Sequence, residues 1–246
     1  SRFLTMPVLA EKRGSVYWIT ISNPSRRNAI TKDMYSQLCC ALDEADADKL
    51  SLFTVITGYG DYYSSSDIFT SSDTATINSS ELSPCSQFLN KIIDHRKILI
   101  GLVNGPAFGA AASALSLMDY VLCSDSAYFE TPSPYISFNH MEAPFVAFEG
   151  EMGSSKACET ILFGEHISAF EALKRGMVCH VFPRAVFKEE SAALVKALAS
   201  REVHRVYLLR KGILSDSNGE ARLMKKHYLD ESAKSLIRTK FCRAKI

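Results

Sequence analysis

Residues 104–113 read Asn-Gly-Pro-Ala-Phe-Gly-Ala-Ala-Ala-Ser and directly follow the apolar run Ile98–Val103. An apolar β-branched run, a Gly/Pro turn and then small residues predict a strand, a tight turn and the start of a helix. Small side chains allow a ligand to approach the backbone, and the first amides of a helix can hold an anionic oxygen. Close packing of the helix on the strand is the alternative interpretation, and this stretch alone does not decide between the two.

A second strand and turn precede this one in the chain. Residues 53–57 (FTVIT) predict a strand, which Gly58-Tyr59-Gly60-Asp61 ends, and a polar turn follows at residues 64–67. If the two strands are parallel neighbours, their turns lie at the same edge of a sheet. The sequence therefore predicts two backbone-amide sites that converge on one oxyanion.

Composition and charge narrow the class of protein. The 246 residues, 47% hydrophobic and 22% charged, suit one large domain or one domain with an appendage. The net charge of +1 gives no electrostatic case for nucleic acid as a partner, and no apolar stretch is long enough to predict a membrane span. Lys and Arg exceed Asp and Glu in residues 201–246, which indicates either contact with phosphates or the solvated face of helices.

Several kinds of site have no support in the sequence. The seven cysteines form no C-x-x-C pair and the six histidines no H-E-x-x-H motif, so we expect no disulfide framework and no metal site. There is no Walker loop and no G-x-S-x-G elbow, and Gly58-x-Gly60 lacks the third glycine of a dinucleotide fingerprint.

The order of predicted elements indicates an α/β layered core followed by helices. Strands are predicted at 15–22, 53–57, 98–103, 120–123, 127–130 and 178–182. Helices are predicted at 88–94 and 110–118, from Thr31 as the capping residue through the stripe Met34, Leu38, Ala41, Leu42 and Ala45, and at 154–163, 168–175, 187–199, 202–214 and 220–239. Residues 71–83 and 131–152 are predicted to be loops.

Several ordered motifs resemble the crotonase (enoyl-CoA hydratase/isomerase) superfamily over nearly the whole chain. They are Asn23-Pro24-Ser25-Arg26-Arg27-Asn28-Ala29, Gly60-Asp61-Tyr62-Tyr63-Ser64-Ser65-Ser66-Asp67, Asn104-Gly105-Pro106-Ala107-x-Gly109 ending in Asp119, Met152-Gly153, and the run from Phe163-Gly164 to Gly176-x-Val178. Within the superfamily, Gly-Asp-Tyr-Tyr, Asn-Gly-Pro-Ala and Thr131-Pro132 look most like the peroxisomal delta-3,delta-2-enoyl-CoA isomerases.

The resemblance implies an α/β fold, a crotonase-like spiral of ββα turns over residues 1–186, and a C-terminal helical oligomerisation segment over 187–246. It implies a homotrimer or hexamer in the peroxisomal matrix, with a fatty acyl-CoA as substrate and no cofactor other than the coenzyme A of that substrate. Ala244-Lys245-Ile246 is similar to the S-K-L peroxisomal address, so a peroxisomal import receptor is an expected partner.

The implied reaction moves a double bond from C3 to C2 of the acyl chain. By position, the amides of Ser66 and Ala110 would polarise the thioester carbonyl. Glu142 would move the proton from C2 to C4 as the single acid/base. The substrate-binding positions implied by the resemblance are Arg26, Arg27, Ala29, Ser64, Asp67, Ile68 and Gly109.

The sequence departs from the family's pattern at the predicted site. Counted without gaps, the isomerase glutamate falls on Met141, one residue before Glu142, and Glu149 and Glu151 are other candidates nearby. Ser65 replaces the family's glycine before the first oxyanion residue, and Ser113 stands where hydratases have one of two glutamates. Three hypotheses follow: an isomerase, a catalytically inactive paralogue that binds acyl-CoA, and a hydratase or thioesterase of the same fold.

Overall fold

The computed structural model describes residues 7–68, 84–130, 150 and 152–200. Several predicted segments lie outside these ranges: the loop at 71–83, the helices at 202–214 and 220–239, and all of the loop at 131–152 except residues 150 and 152. The residues Glu142 and Ala244 to Ile246 also lie outside them. No helix among the described residues has the length and apolarity needed to cross a membrane.

Short and long strands alternate with helices along the chain. The strands are β1 (Val8–Arg13), β2 (Val16–Ile21), β3 (Ile30–Thr31), β4 (Phe53–Gly58), β5 (Asp67–Ile68), β6 (Ile98–Val103), β7 (Ala107–Phe108), β8 (Tyr120–Ser124), β9 (Tyr128–Glu130), β10 (Ile167–Ser168) and β11 (His180–Phe182). The helices are α1 (Lys32–Ala47), α2 (Pro84–Asp94), α3 (Gly109–Ser113), α4 (Ser154–Phe163), α5 (Ala169–Arg175) and α6 (Phe187–Ser200), with 3-10 turns at Pro24–Arg26 and Ala114–Leu117.

Within the described residues, six strands form the main sheet in the order β1-β2-β4-β6-β8-β11. β1 and β2 form an antiparallel hairpin, and the other neighbours run parallel. Short strands form two smaller sheets, in the orders β10-β9-β7 and β3-β5. In chain order, β3, β5, β7 and β9 each come after one of the long strands of the main sheet. The predicted parallel pairing of the strands at 53–57 and 98–103 is confirmed, so β4 and β6 end at the same edge of the sheet.

The central strands of the main sheet, β4, β6 and β8, are largely buried on both faces, as expected for strands connected by helices. On one face lies a core cluster that includes Ile19, Ile56 and Val103, and α1 packs there through the predicted stripe, in which Met34, Leu38, Ala41, Leu42 and Ala45 are all buried. On the other face, Phe187 and Val195 of α6 are buried with Leu122. The predicted cap of α1 is confirmed, because the Thr31 side chain accepts from the Met34 amide at 3.3 Å.

The helix predicted over 110–118 is wrong in its length. The α-helix ends at Ser113, a 3-10 turn follows, and Met118 takes extended backbone. The reason is the pairing of the next residue with β6: the Asp119 N–H donates to the Leu99 carbonyl at 3.0 Å, and the Asp119 carboxylate accepts from the Leu99 N–H at 2.8 Å. These contacts turn the chain into β8 after two short helical turns.

Two glycines permit a close approach between the turns that follow β4 and β6. A Cβ at Gly58 would lie 2.2 Å from the Tyr62 carbonyl oxygen, and a Cβ at Gly105 would lie 1.9 Å from that of Asp61. Both contacts are with backbone, which cannot rotate out of the way as a side chain can. The glycines therefore fix how closely the two turns pack.

We expect Gly105→Ala to lower the free energy of unfolding by about 3 kcal/mol, because overpacking against backbone is at the upper end of the usual cost. The measurement is urea unfolding followed by circular dichroism. Gly150→Ala is the matched control, since a Cβ there meets no atom of the described residues within 4 Å. Equal stability of the two variants would contradict the close packing of the turns.

Candidate active site

The chain segments that leave β4 and β6 run side by side. The amides of Tyr63 and Ser64 both donate to the Pro106 carbonyl, at 3.0 and 3.3 Å, and the Phe108 amide donates to the Ser64 carbonyl at 3.0 Å. A parallel bridge joins Ser64 to Ala107. The two predicted backbone sites are therefore brought together by main-chain hydrogen bonds.

Ser64 is fully buried and belongs to this pairing. Its hydroxyl donates to the Phe108 carbonyl at 2.8 Å. Predicted as a substrate-binding residue, Ser64 has its side chain engaged with the neighbouring strand. Its contribution in this structure is to hold the two segments together.

Ser66 and Ala110 lie just beyond the paired residues. Ser66 is exposed, and its N–H makes no hydrogen bond to the part of the chain that the structure describes, while its carbonyl accepts from the Ile30 N–H at 2.9 Å. Ala110 is fully buried and is the second residue of α3. It follows Gly109, whose φ of +73° is a conformation that favours glycine.

Asn28 anchors the turn that contains the basic pair. Its side chain is fully buried, and its Oδ1 accepts from the Asn23 N–H at 2.9 Å. Its Nδ2 donates to the carbonyls of Tyr59 at 2.8 Å and Tyr62 at 2.6 Å. Its φ of +59° lies in the left-handed region that asparagine tolerates better than most residues. Asn28 thus joins the turn at 23–28 to the turn after β4.

Asn104 holds the same turn from the other side. Its Oδ1 accepts from the Gly58 N–H at 3.0 Å, and its Nδ2 donates to the carbonyls of Gly60 at 2.6 Å and Tyr62 at 3.1 Å. The Tyr62 carbonyl therefore accepts from two asparagines on different segments. This arrangement connects the three parts of the chain in which the site residues were predicted.

The predicted phosphate-binding arginines lie at the surface beside this turn. Arg26 and Arg27 are exposed, and the Arg27 guanidinium lies 5.5 Å from the centre of the Tyr62 ring, a cation–π contact. The Arg26 carbonyl accepts from the Ala29 N–H at 3.0 Å, and Ala29 itself is buried. The two guanidinium groups are thus placed where an anionic ligand can reach them.

Of the remaining predicted residues, Asp67, Ile68 and Ser113 lie within the described part of the chain. Asp67 and Ile68 form β5, which pairs with Ile30 and Thr31 and extends the backbone beyond Ser66. Ser113 is buried, and its hydroxyl donates to the Gly109 carbonyl at 3.3 Å. Glu142 lies outside the described residues, so the acid/base assignment stays a prediction.

Two aromatic residues near the turns, Tyr63 and Phe108, differ in their burial. Tyr63 is buried in the main core, and burial raises the pKa of its hydroxyl well above the usual range. Phe108 is half-buried and packs edge-on against the Tyr128 ring, with 5.4 Å between the ring centres. Tyr63 is therefore part of the core, while Phe108 retains an exposed edge next to Gly109.

Sequence reasoning did not identify Asn28, Asn104 or Ser65 as the groups that hold the site together. A signal was present in the sequence: Asn23 and Asn28 flank one Pro-containing turn and Asn104 begins another, and asparagine is a residue type that often binds nearby backbone. Ser65, which replaces a glycine of the family, does not have a positive φ, since the non-glycine residues with positive φ in the described ranges are Arg27 and Asn28.

We expect Asn28→Ala to lower the free energy of unfolding by about 3 kcal/mol, since each buried group left without a partner costs about 1–3 kcal/mol. The groups affected are the Asn23 N–H and the carbonyls of Tyr59 and Tyr62. Ser25→Ala is the control, because its exposed hydroxyl donates only to the Asn23 side chain. Chemical denaturation of both variants gives the comparison, and equal midpoints would contradict the role of Asn28.

Comparison with known proteins supports the same family by sequence and by fold. A model of the enoyl-CoA hydratase/isomerase family matches residues 11–237. Enoyl-CoA delta isomerase 2 of Rattus norvegicus is 37% identical over 197 residues, covering 78% of this chain and 50% of the rat protein. Peroxisomal enoyl-CoA delta isomerase 3 of Mus musculus is 32% identical over 252 residues, covering 97% of this chain and 79% of the mouse protein. The chain thus spans about half the length of the rat relative.

The fold is shared with solved structures. An enoyl-CoA hydratase/isomerase from Pseudoalteromonas atlantica T6c superposes with a TM-score of 0.76 at 24% identity, covering 94% of this chain and 91% of that chain. This likeness confirms the predicted crotonase-like α/β fold. With the family model matching most of the sequence, the chain belongs to the enoyl-CoA hydratase/isomerase family.

Proposed function

We propose that this protein is a delta-3,delta-2-enoyl-CoA isomerase that acts on unsaturated fatty acyl-CoA. The observation that carries the proposal is that Ser66 is an exposed residue whose N–H makes no hydrogen bond within the described ranges. It lies two residues beyond the pairing of Ser64 with the segment that leads into Ala110. The names of the rat and mouse relatives support the same activity.

In the proposed mechanism, the N–H groups of Ser66 and Ala110 donate to the thioester carbonyl oxygen. This polarises the carbonyl and stabilises the enolate that forms when a C2 proton leaves. The electron pair of the broken C2–H bond forms the C2=C3 double bond, and C4 takes a proton as the C3=C4 bond is lost. Glu142 is the proposed acid/base, receiving the proton from C2 and returning it to C4.

Ser113 favours isomerisation over hydration. Hydratases of the superfamily use two glutamates to position and split water, and one of those positions corresponds to Ser113 in this chain. The Ser113 hydroxyl is buried and donates to the Gly109 carbonyl within its own helix. It therefore offers no carboxylate for activating a water molecule, whereas isomerisation needs only one acid/base.

Arg26 and Arg27 are the proposed phosphate contacts for coenzyme A. Both are exposed, and the cation–π contact of Arg27 with Tyr62 orients one guanidinium at the edge of the turn that precedes Ser66. The other proposed substrate-binding positions lie along the same segments and are Ala29, Ser64, Asp67, Ile68 and Gly109. The proposal includes no cofactor beyond the coenzyme A of the substrate.

The proposal extends to the assembly and location of the protein. We infer a homotrimer or hexamer formed through the C-terminal segment at 187–246, with residues 1–186 as the catalytic core. We also infer a peroxisomal matrix location, reached through a peroxisomal import receptor, which the name of the mouse relative supports.

A catalytically inactive acyl-CoA-binding protein is the second candidate function. It is favoured by Met141, which occupies the position where the family's isomerase glutamate falls when residues are counted without gaps. In that case the backbone site binds the thioester, but no carboxylate lies in reach of C2.

Incubation of the purified protein with a 3-enoyl-CoA should produce the conjugated 2-enoyl thioester. The measurement is the ultraviolet absorbance of that product over time. Glu142→Ala should reduce kcat by about 10²–10⁴-fold, the usual contribution of a positioned acid/base. Glu149→Ala is the matched control, and we expect it to retain activity. Loss of activity in Glu149→Ala alone would overturn the Glu142 assignment, and binding of acyl-CoA without conversion would favour the second candidate.

Replacing Arg26 and Arg27 together by Ala should raise KM for the acyl-CoA substrate by about 10-fold, because charge-assisted hydrogen bonds contribute about 1.5–3 kcal/mol. The same variant should leave KM unchanged for an acyl-pantetheine thioester, which lacks the nucleotide phosphates. Arg13→Ala is the control, since this exposed arginine pairs with Glu11 and Trp18 on the β1–β2 hairpin. A rise in KM for both thioesters would argue against phosphate contact.

A further inference from the structure

The peptide bond between Ser65 and Ser66 is held differently from the peptide bonds on either side. The preceding peptide is fixed by its Ser64 carbonyl, which accepts from the Phe108 N–H at 3.0 Å. The following peptide is fixed by its Ser66 carbonyl, which accepts from the Ile30 N–H at 2.9 Å. In the described part of the chain, the peptide between them makes no main-chain hydrogen bond. Its N–H is the proposed donor to the substrate carbonyl.

The side chain of Ser65 supplies the attachment that this peptide lacks. Its hydroxyl donates to the Arg26 carbonyl at 2.9 Å, and the residue is half-buried. The acceptor is itself well fixed, because the Arg26 carbonyl also accepts from the Ala29 N–H and the buried Asn28 side chain closes the same turn. The Ser65 side chain leaves the Cα at which the Ser65–Ser66 peptide begins. Its hydrogen bond to the Arg26 carbonyl therefore ties that peptide to a well-fixed turn.

We propose that Ser65 is a positioning residue, whose hydroxyl orients the Ser65–Ser66 peptide so that the Ser66 N–H points at the thioester carbonyl. The inference rests on the proposed function, in which that N–H is one of two donors. It goes beyond the family pattern, because the glycine that the family has at this position carries no hydroxyl. In this chain the conformation of the turn is fixed by a hydrogen bond at a residue without positive φ.

The residue that accepts the Ser65 hydrogen bond, Arg26, has a second proposed role. Arg26 is also one of the two residues proposed to bind the phosphates of coenzyme A, and its carbonyl is where Ser65 is attached. The hydrogen bond therefore joins the segment that binds the nucleotide to the segment that polarises the thioester.

Ser65→Ala tests this role, with Ser65→Thr as the variant that retains the hydroxyl. Losing a whole oxyanion donor costs about 10²–10³ in rate, and a donor that is present but less well oriented should cost about 10-fold in kcat. KM should stay within about twofold, because in the proposed role the Ser65 hydroxyl binds the Arg26 carbonyl and acts on the substrate only through the Ser66 N–H. Ser36→Ala is the matched control, since its exposed hydroxyl also donates to a backbone carbonyl, that of Lys32.

A spectroscopic measurement separates positioning from stability and does not depend on turnover. The carbonyl stretch of ¹³C-labelled hexanoyl-CoA should move to lower frequency when the thioester binds the wild-type protein, because hydrogen bonds weaken the C=O bond. The shift should be smaller in Ser65→Ala and restored in Ser65→Thr, with thermal unfolding of all variants recorded alongside.

The outcomes distinguish this inference from the proposed function. A carbonyl shift and a kcat in Ser65→Ala equal to those of the wild type, or a change in melting temperature alone, would overturn the positioning role. A wild-type protein that shifts the carbonyl but converts no 3-enoyl-CoA would contradict the isomerase activity, and the shift in the variants would then decide the role of Ser65. Absence of any shift in the wild type would overturn both.

Discussion

Two asparagine side chains donate to one carbonyl oxygen, that of Tyr62, and the geometry of the site depends on this contact. Asn28 reaches it from the turn after β2, and Asn104 reaches it from the end of β6. Buried backbone groups must be paired, and the turn after β4 has no regular secondary structure to pair them. The side-chain amides of the two asparagines supply the hydrogen bonds that a neighbouring strand would otherwise provide. They also leave the next residues, 63–66, aligned between two neighbouring segments.

Within residues 63–66, backbone groups that are buried and hydrogen-bonded lie next to an N–H that has no hydrogen-bond partner among the described residues. Tyr63 and Ser64 are buried and hydrogen-bonded, while Ser66 is exposed with an N–H that no described residue accepts. A donor is useful for catalysis when its direction is fixed before the substrate arrives and no reorganisation is needed. In the proposed mechanism, the residues on either side of Ser66 fix the direction of its N–H, and the N–H itself stays available for the thioester carbonyl.

Much of the fold follows from local patterns in the sequence. The stripe Met34 to Ala45 predicted a buried helix face, and the apolar runs beginning at Phe53 and Ile98 predicted neighbouring strands, because burial on both sheet faces needs continuous apolar residues. The order of motifs identified the family. The anchors of the site could not be predicted in the same way, because the role of Asn28 depends on which carbonyls lie beside it after folding. The short strands β7 and β10, of two residues each, are too brief to leave a periodic pattern.

The contacts that assemble the site all join distant parts of the chain. Asn28 and Tyr62 are 34 residues apart, and Asn104 and Gly58 are 46 residues apart. Contacts of this kind form only after long loops have closed, and closing them is slow compared with forming a helix. During synthesis, the backbone hydrogen bonds of α1 can form within its own sequence, whereas the turn at 58–66 lacks its partners on residues 104–108 until those residues have left the ribosome. The turn at 58–66 therefore acquires its native geometry only after residues 104–108 have been synthesised, well after the whole of α1 is available.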